Sequence, residues 1–272
     1  MHLLAADIGN SNINLGLFAD GNLRGSWRAT TRKGATADEL AATIAGLLAL
    51  DGFSWTDVAA CAVASVVPPL TDPFCQAVAQ RAGVAPLIID ATALAGILDI
   101  AIDRPAEAGA DRLVNALAAG LEFGGPAIVV DLGTSTNFDV IRADGAYIGG
   151  AIAPGLGLSL DALVGSAAKL PRIELRRPER AIGSNTIAAM QSGTVNGYIG
   201  LVSGLLAALR GELMEQSPAG SRVTVIATGG LAAQPWLEAV PGIDHIEQTL
   251  TLRGIRHAAE RIAVRSGIGV AS

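Results

Sequence analysis

The feature that most limits how this chain can fold is an internal repeat. Asp7, Gly9, Ser11, Ala19, Asp20 and Gly21 match Asp131, Gly133, Ser135, Ala143, Asp144 and Gly145 at a constant offset of 124 residues. Each copy reads as an apolar strand, an Asp-x-Gly turn, a second apolar strand, an Asp-Gly hairpin and a third strand. The same supersecondary unit recurring halfway along argues for duplication. Two stacked α/β domains are predicted, residues 1–120 and 121–272, hinged near Gly120–Pro126. A short hinge between similar domains makes a cleft, and clefts between domains are where ligands sit.

Between the repeats the pattern alternates in α/β fashion. Thr36-Ala37-Asp38-Glu39 is a capping box that opens a helix reaching about Leu48. Val58–Ala64 and Leu87–Ile89 read as strands around a helical stretch, and Gly109–Leu121 as a further helix. Val223–Ala227 reads as a strand and Gly254–Ser266 as a final helix. Charged residues make up only 16% of the sequence, so the surface is small relative to the interior or partly covered by a second subunit.

Ala181–Leu209 holds no charged residue. Its serines, threonines, asparagines and Gln191 would be costly in hydrocarbon, which favours a helix buried in protein over a membrane span. Gly193 with Gly197, and Gly200 with Gly204, are small-xxx-small spacings that let another helix approach, either across a subunit contact or within the chain. The start of the chain has no basic segment and meets Asp7 early, unlike a secretion signal, so a cytoplasmic location is expected. Cys61 and Cys75 read as inert core thiols in a reducing compartment.

The two Asp-x-Gly turns suit a nucleotide triphosphate. Glycine admits phosphate oxygens to the backbone, the following N–H and hydroxyl groups donate to them, and the aspartates can hold a cation that bridges the phosphates. Ala227-Thr228-Gly229-Gly230 after a strand would let a flat purine or ribose lie against backbone. Asp111-Arg112 sits where a helix starts and has two readings: a cap with a surface arginine, or a carboxylate base beside a guanidinium that binds an anion. A Walker loop, an HExxH pair and a Gly-x-Ser-x-Gly elbow are all absent. The net charge of −6 offers no footprint for nucleic acid.

Seven motifs, in order along the chain, together resemble the type III pantothenate kinases. They are Asp7-Ile8-Gly9-Asn10-Ser11-Asn12, Ser65-Val66-Val67-Pro68, Pro105 through Arg112, Asp131-Leu132-Gly133-Thr134, Gly149 through Gly155, Ile182-Gly183-Ser184-Asn185-Thr186 and Ala227 through Gly230. The resemblance implies a duplicated actin-like (ASKHA, ribonuclease H-like) fold. It also implies phosphoryl transfer from ATP to the 4′-hydroxyl of pantothenate, the first step of coenzyme A biosynthesis, in a homodimer needing Mg2+ and a monovalent cation, K+ or NH4+. Carried over residue by residue, Asp111 would be the general base, and Gly109, Ala110 and Arg112 would line the pantothenate site. Asp7, Ile8, Gly9, Asn10, Ser11, Asn12, Ile13 and Asn14 would form the first phosphate loop, with Asp7 reaching Mg2+ through the phosphates. Thr134 and Gly229 would contact ATP, Asp131 would bind the monovalent cation, and Thr186 would reach pantothenate from the partner domain or subunit.

Two places depart from the pattern. Ile102 stands where the family commonly has Tyr, which removes a hydroxyl contact worth about 1 kcal/mol. Ser135 and Asn137 replace Ala and Thr in the second loop. Rival expectations are another phosphotransferase or phosphatase of the same fold, since fold does not fix the acceptor, or a regulatory homologue without turnover.

Overall fold

The computed structural model describes residues 2–167 and 169–266. Met1, Ala168 and residues 267–272, and with them the outer ends of the two expected domain spans, lie outside the described residues. The chain divides into two compact units: residues up to Ala118 together with those from Leu250 onward, and Ala119–Thr249.

In the first unit, β1 (His2–Ile8), β2 (Asn12–Ala19) and β3 (Asn22–Thr30) form the expected antiparallel meander, and β4 (Val58–Ser65) and β5 (Leu87–Ile89) continue parallel to β1 in the order β3-β2-β1-β4-β5. Asp20 and Gly21 take positive φ in the two-residue β2–β3 turn, which an Asp-Gly pair suits. The capping box forms as read: Glu39 N–H donates to Thr36 Oγ1 and Thr36 N–H to Glu39 Oε2, opening α1 (Ala37–Ala49). α2 (Pro68–Ala82) starts on a proline and stops at Gly83. Leu40, Ile44 and Leu48 of α1 and Leu70, Phe74 and Val78 of α2 join Leu4, Ile8, Leu15 and Leu17 in one core. α3 (Ala110–Glu122) follows.

The second unit repeats this topology. β6 (Ala127–Leu132), β7 (Ser135–Ile141), β8 (Tyr147–Pro154), β9 (Thr224–Thr228) and β10 (His245–Ile246) run in the order β8-β7-β6-β9-β10. The constant sequence offset conceals a slip. Asp7 pairs with Asn14 across β1–β2, whereas Asp131 pairs with Asn137 across β6–β7, because the second turn is one residue shorter. A longer hairpin restores the count by Asp144: residues 143–145 turn between Arg142 and Ala146, whose N–H and carbonyl bond, where the first repeat turns on Asp20 and Gly21 alone.

α4 (Leu156–Ser166), α5 (Thr186–Gln191) and α6 (Gly197–Glu215) complete this unit. α5 and α6 join through a π turn at Ser192–Asn196 into one helix, Thr186–Glu215. Tyr198, Val202 and Leu206 bury one stripe of it in the core with Ile128, Val130 and Leu132. One stripe of the helix is buried within the chain, and its glycine face is not. Gly193, Gly197, Gly200 and Gly204 are exposed, and a Cβ on any of them would meet nothing within 4 Å. The narrow stripe that carries bulk is what packs, and the small-residue face has none to bury. By length and composition this helix could also cross a membrane.

The last helix, α7 (Leu250–Arg265), corrects the expected division. It packs on β1, β2 and β4 of the first unit rather than completing the second. Its apolar stripe, including Leu252, Ile255 and Ala259, is buried, with Leu252 near Gly16 of β2. A Cβ on Gly254 would overlap the carbonyl oxygen of Val114 in α3, so only glycine permits this approach. Gly254→Ala is expected to cost about 2 kcal/mol by overpacking, read as a lower midpoint in urea at unchanged slope.

Candidate active site

In the first unit three strand ends and a helix start converge. Asp7 is the next-to-last residue of β1, and its Oδ2 accepts from Asn14 Nδ2 at 2.8 Å; Asn14 Oδ1 in turn accepts from Arg28 Nε at 3.2 Å. The three residues are cross-strand partners, so Asp7, Asn14 and Arg28 form a polar row over three strands. Ile8 and Ile13 point to the opposite, apolar face and belong to the core. Gly9, Asn10 and Ser11 make the turn. Gly9 N–H donates to Asn12 O, and Thr31 binds the turn through Thr31 N–H to Ser11 O and Thr31 Oγ1 to Gly9 O. Asn10 and Ser11 are exposed on this braced loop.

Beyond β4, Ser65 Oγ accepts from Val67 N–H and Thr71 Oγ1, and Val66 N–H donates to Ile8 O. This turn lies beside Gly109, whose Cβ would sit 3.4 Å from Val66 Cγ1 and 2.5 Å from Asp111 Oδ1. Gly109 is the residue whose carbonyl accepts the first helical bond, from Leu113 N–H, so it occupies the cap position and Asp111 does not. The capping reading of Asp111 therefore fails. Asp111 is the second residue of α3, and its Oδ1 accepts from Arg112 N–H at 2.8 Å. Burial pushes the Asp111 carboxyl above the usual range, outweighing the N–H and the guanidinium of Arg112, which pull it down. Ala110 is buried in the same turn.

In the second unit, Asp131 is the next-to-last residue of β6, with Asn137 and Thr228 as its partners on either side. Paired residues share a face, so a carboxylate, an amide and a hydroxyl line up. Gly229 takes φ +91 and folds over this row; a Cβ there would overlap Asp131 Oδ1. Thr228 Oγ1 is buried with no hydrogen-bond partner. An orphaned hydroxyl beside a carboxylate is an all-oxygen donor set that fits a hard cation. Among the described residues no group of three or more His, Cys, Asp or Glu could hold a metal ion. Thr134 sits in the second turn, where Gly155 N–H donates to its carbonyl.

Sequence reasoning missed Tyr198. Its hydroxyl bonds Thr136 Oγ1 at 2.6 Å, and burial pushes it up with the Asp131 charge adding to the effect. A lone aromatic in an uncharged helix gives no signal of this. Tyr198 also lines a groove of about 660 Å³ with Thr186, Ser159, Leu163, Met190 and Leu201. Thr186 is exposed there at the start of α5, where Asn185 Oδ1 accepts from Ala188 N–H. The site residues thus fall into one group in the first unit, around Asp7 and Asp111, and one in the second, around Asp131, with Thr186 on the groove. Both cysteines are free, and burial pushes the Cys61 thiol up, as an inert core thiol requires.

The sequence profile of the type III pantothenate kinases matches residues 3–208. The chain belongs to this family. It is 47% identical over 254 residues to a type III pantothenate kinase from Roseiflexus sp. (strain RS-1), covering 93% of this chain and 96% of the relative. It is 48% identical over 261 residues to one from Thermomicrobium roseum, covering 96% and 97%. Among solved structures, the activator of 2-hydroxyisocaproyl-CoA dehydratase from Clostridium difficile, with bound ADPNP, aligns over all of both chains with TM-score 0.57 at 11% identity. A ROK family glucokinase from Streptomyces griseus, with glucose and AMPPNP, aligns over 96% of this chain and all of that one with TM-score 0.50 at 13% identity. At such identities the likeness is one of fold, and it agrees with the duplicated actin-like architecture.

The raised proton affinity of Asp111 has a signed consequence for stability. The folded state holds this proton more tightly than the unfolded chain. The stabilisation is therefore complete below the ordinary carboxylate pKa, about 3.9, and is lost as pH rises through the folded value. Asp111→Asn in this pantothenate kinase should raise the melting temperature at neutral pH, and the gain should vanish in acid. Equal melting temperatures for the two proteins across that range would contradict the burial account.

Proposed function

We propose that this kinase transfers the γ-phosphoryl group of ATP to the 4′-hydroxyl of pantothenate with Asp111 as general base. The observation that carries the assignment is a carboxyl held at a helix start, with elevated proton affinity, beside an arginine. In the step, the hydroxyl oxygen bonds to the γ-phosphorus, its proton passes to Asp111, and the bond to the β-phosphate bridging oxygen breaks. Arg112, Gly109 and Ala110 line the pantothenate site, the guanidinium facing the acceptor's carboxylate.

Residues 7–14 take phosphate oxygens through the exposed turn of Asn10 and Ser11, with Asp7 held ready by Asn14 for a Mg2+ ion on the phosphates. Thr134 and Gly229 serve ATP from the second repeat. Asp131 holds K+ or NH4+, and the unpartnered Thr228 hydroxyl supports that reading. Bound cations supply charge neutralisation to the phosphates.

The working form is a homodimer joined through the exposed glycine face of the Thr186–Glu215 helix. That face adjoins a groove edged by the exposed Leu163, with Leu158, Ile182 and Ile187 also exposed in the same unit. Small-residue faces allow close helix approach, and a second copy supplies a matching face. Thr186, at the start of this helix, then reaches pantothenate from the partner domain or subunit. A cytoplasmic location suits an enzyme that consumes ATP.

Turnover of ATP and pantothenate with Mg2+ and K+ tests the reading. Asp111→Asn should lower kcat by about 10²–10⁴-fold, and unchanged turnover would remove Asp111 as base. Gly200→Leu has room in the single chain, so it should keep the fold and yield a monomer in sedimentation equilibrium. A dimer that survives this change, or recovery of the wild type with membranes, would reject the glycine face as the subunit contact.

A further inference from the structure

Asn115 is 1% exposed, and neither its Nδ2 nor its Oδ1 has a hydrogen-bond partner. Buried amides in folded proteins are nearly always paired, so a doubly orphaned one calls for a reason. Its place on α3 supplies one. Asn115 is four residues after Asp111 and three after Arg112, which puts all three on one face of the helix. Helical side chains lean toward the N-terminus, so the Asn115 amide extends over the turn that carries Asp111 and Arg112. In the other direction the same face presents Ala118 and Ala119, both buried, neither with a side-chain polar atom.

The helix cannot shift to relieve the orphan, because α7 closes on it where Gly254 meets the Val114 carbonyl, one residue away. On the other side of Asp111, Oδ1 is held by Arg112 N–H and lies against Gly109. Asp111 and Asn115 stand one helical turn apart, the spacing at which side chains on one face meet.

We propose that Asn115 is a positioning residue for Asp111: its amide donates to the carboxylate when the acceptor alcohol is bound and fixes the orientation in which the carboxylate takes the proton. The inference rests on the reading of Asp111 as base. Asn115 touches neither substrate nor phosphate, and it makes or breaks no covalent bond.

Asn115→Leu tests this, because leucine keeps the branched shape and removes both polar atoms. If the amide is kept for catalysis, the variant should melt no lower than the wild type, since an unpaired buried amide has been replaced by an apolar group. Its kcat should fall about ten- to a hundredfold, the scale of a misplaced catalytic group, with the pantothenate KM little changed. The acid limb of the kcat/KM profile should move to higher pH, because the carboxylate has lost a donor. In an Asp111→Asn background the same change should add no further loss.

Turnover near the wild-type value with an unmoved acid limb would overturn the proposal, as would losses that multiply in the double variant. A lower melting temperature with kcat and the limb unaltered would also overturn it, leaving a packing role alone. Asn115→Ala, which keeps helix propensity, gives the same readouts should the leucine variant fail to fold. The base reading fails separately: full turnover by Asp111→Asn alone would sink it, whereas loss there with Asn115→Leu indistinguishable from wild type sinks only the positioning role.

Discussion

The first unit depends on the closeness with which α7 meets α3. Gly254 brings one backbone against the Val114 carbonyl of the other, nearer than any side chain would allow. That contact sets the depth at which α3 lies, and the depth sets the burial of Asp111 and Asn115. A helix start ordinarily favours a carboxylate, since the free N–H groups and the dipole lower its pKa. Here burial wins, and the carboxyl holds its proton more tightly than an ordinary one. The chemistry of residue 111 is therefore decided by a glycine 143 residues later in the chain.

Duplication explains why two carboxylates occupy equivalent places, and the slip between the repeats shows what is held constant. Both units put aspartate next to last on their first strand and asparagine opposite it, although the turn between them differs by one residue. Letters align at one offset while the cross-strand pairs align at another. In these terms Asn137 is less a departure in the second loop than the counterpart of Asn14. An amide opposite the carboxylate is the repeated element, and the shorter turn before it is offset by a hairpin turn one residue longer after it.

Much of this could be read from sequence because it is local. The capping box at Thr36, the Asp-Gly hairpin at Asp20 and the meander strands follow from turn chemistry and alternation within about ten residues. The turns around Asp7 and Asp131 stand out because the Asp-x-Gly motif recurs, whereas the residues alone left Asp111 open between a cap and a base, and only the resemblance implied the base. What could not be read is long-range. Nothing near Leu250 says that α7 returns to the first sheet; its amphipathic pattern would suit either. The uncharged run at Ala181–Leu209 gives a helix but not which face it buries, and the bulky residues Tyr198, Val202 and Leu206, rather than mean apolarity, decide that. Asn115 is lost among apolar neighbours, although a polar residue one turn below a candidate base is a signal that spacing alone can show.

Two residues with unpaired polar atoms bear on how far the fold alone explains its own residues. Asn115 lies on the helix of one acid, and Thr228 lies in register beside another. Each leaves a buried hydrogen-bonding group unsatisfied, which costs more than an apolar replacement of the same shape. Stability therefore does not account for either residue. Both residues lie by position next to an aspartate, and functional sites are where a chain tolerates a local loss. The ordinary core of the same protein makes the contrast, with Ile44, Phe74 and Val202 packed among apolar neighbours. Where packing is the whole purpose, the chain places apolar groups; beside these two aspartates it does not.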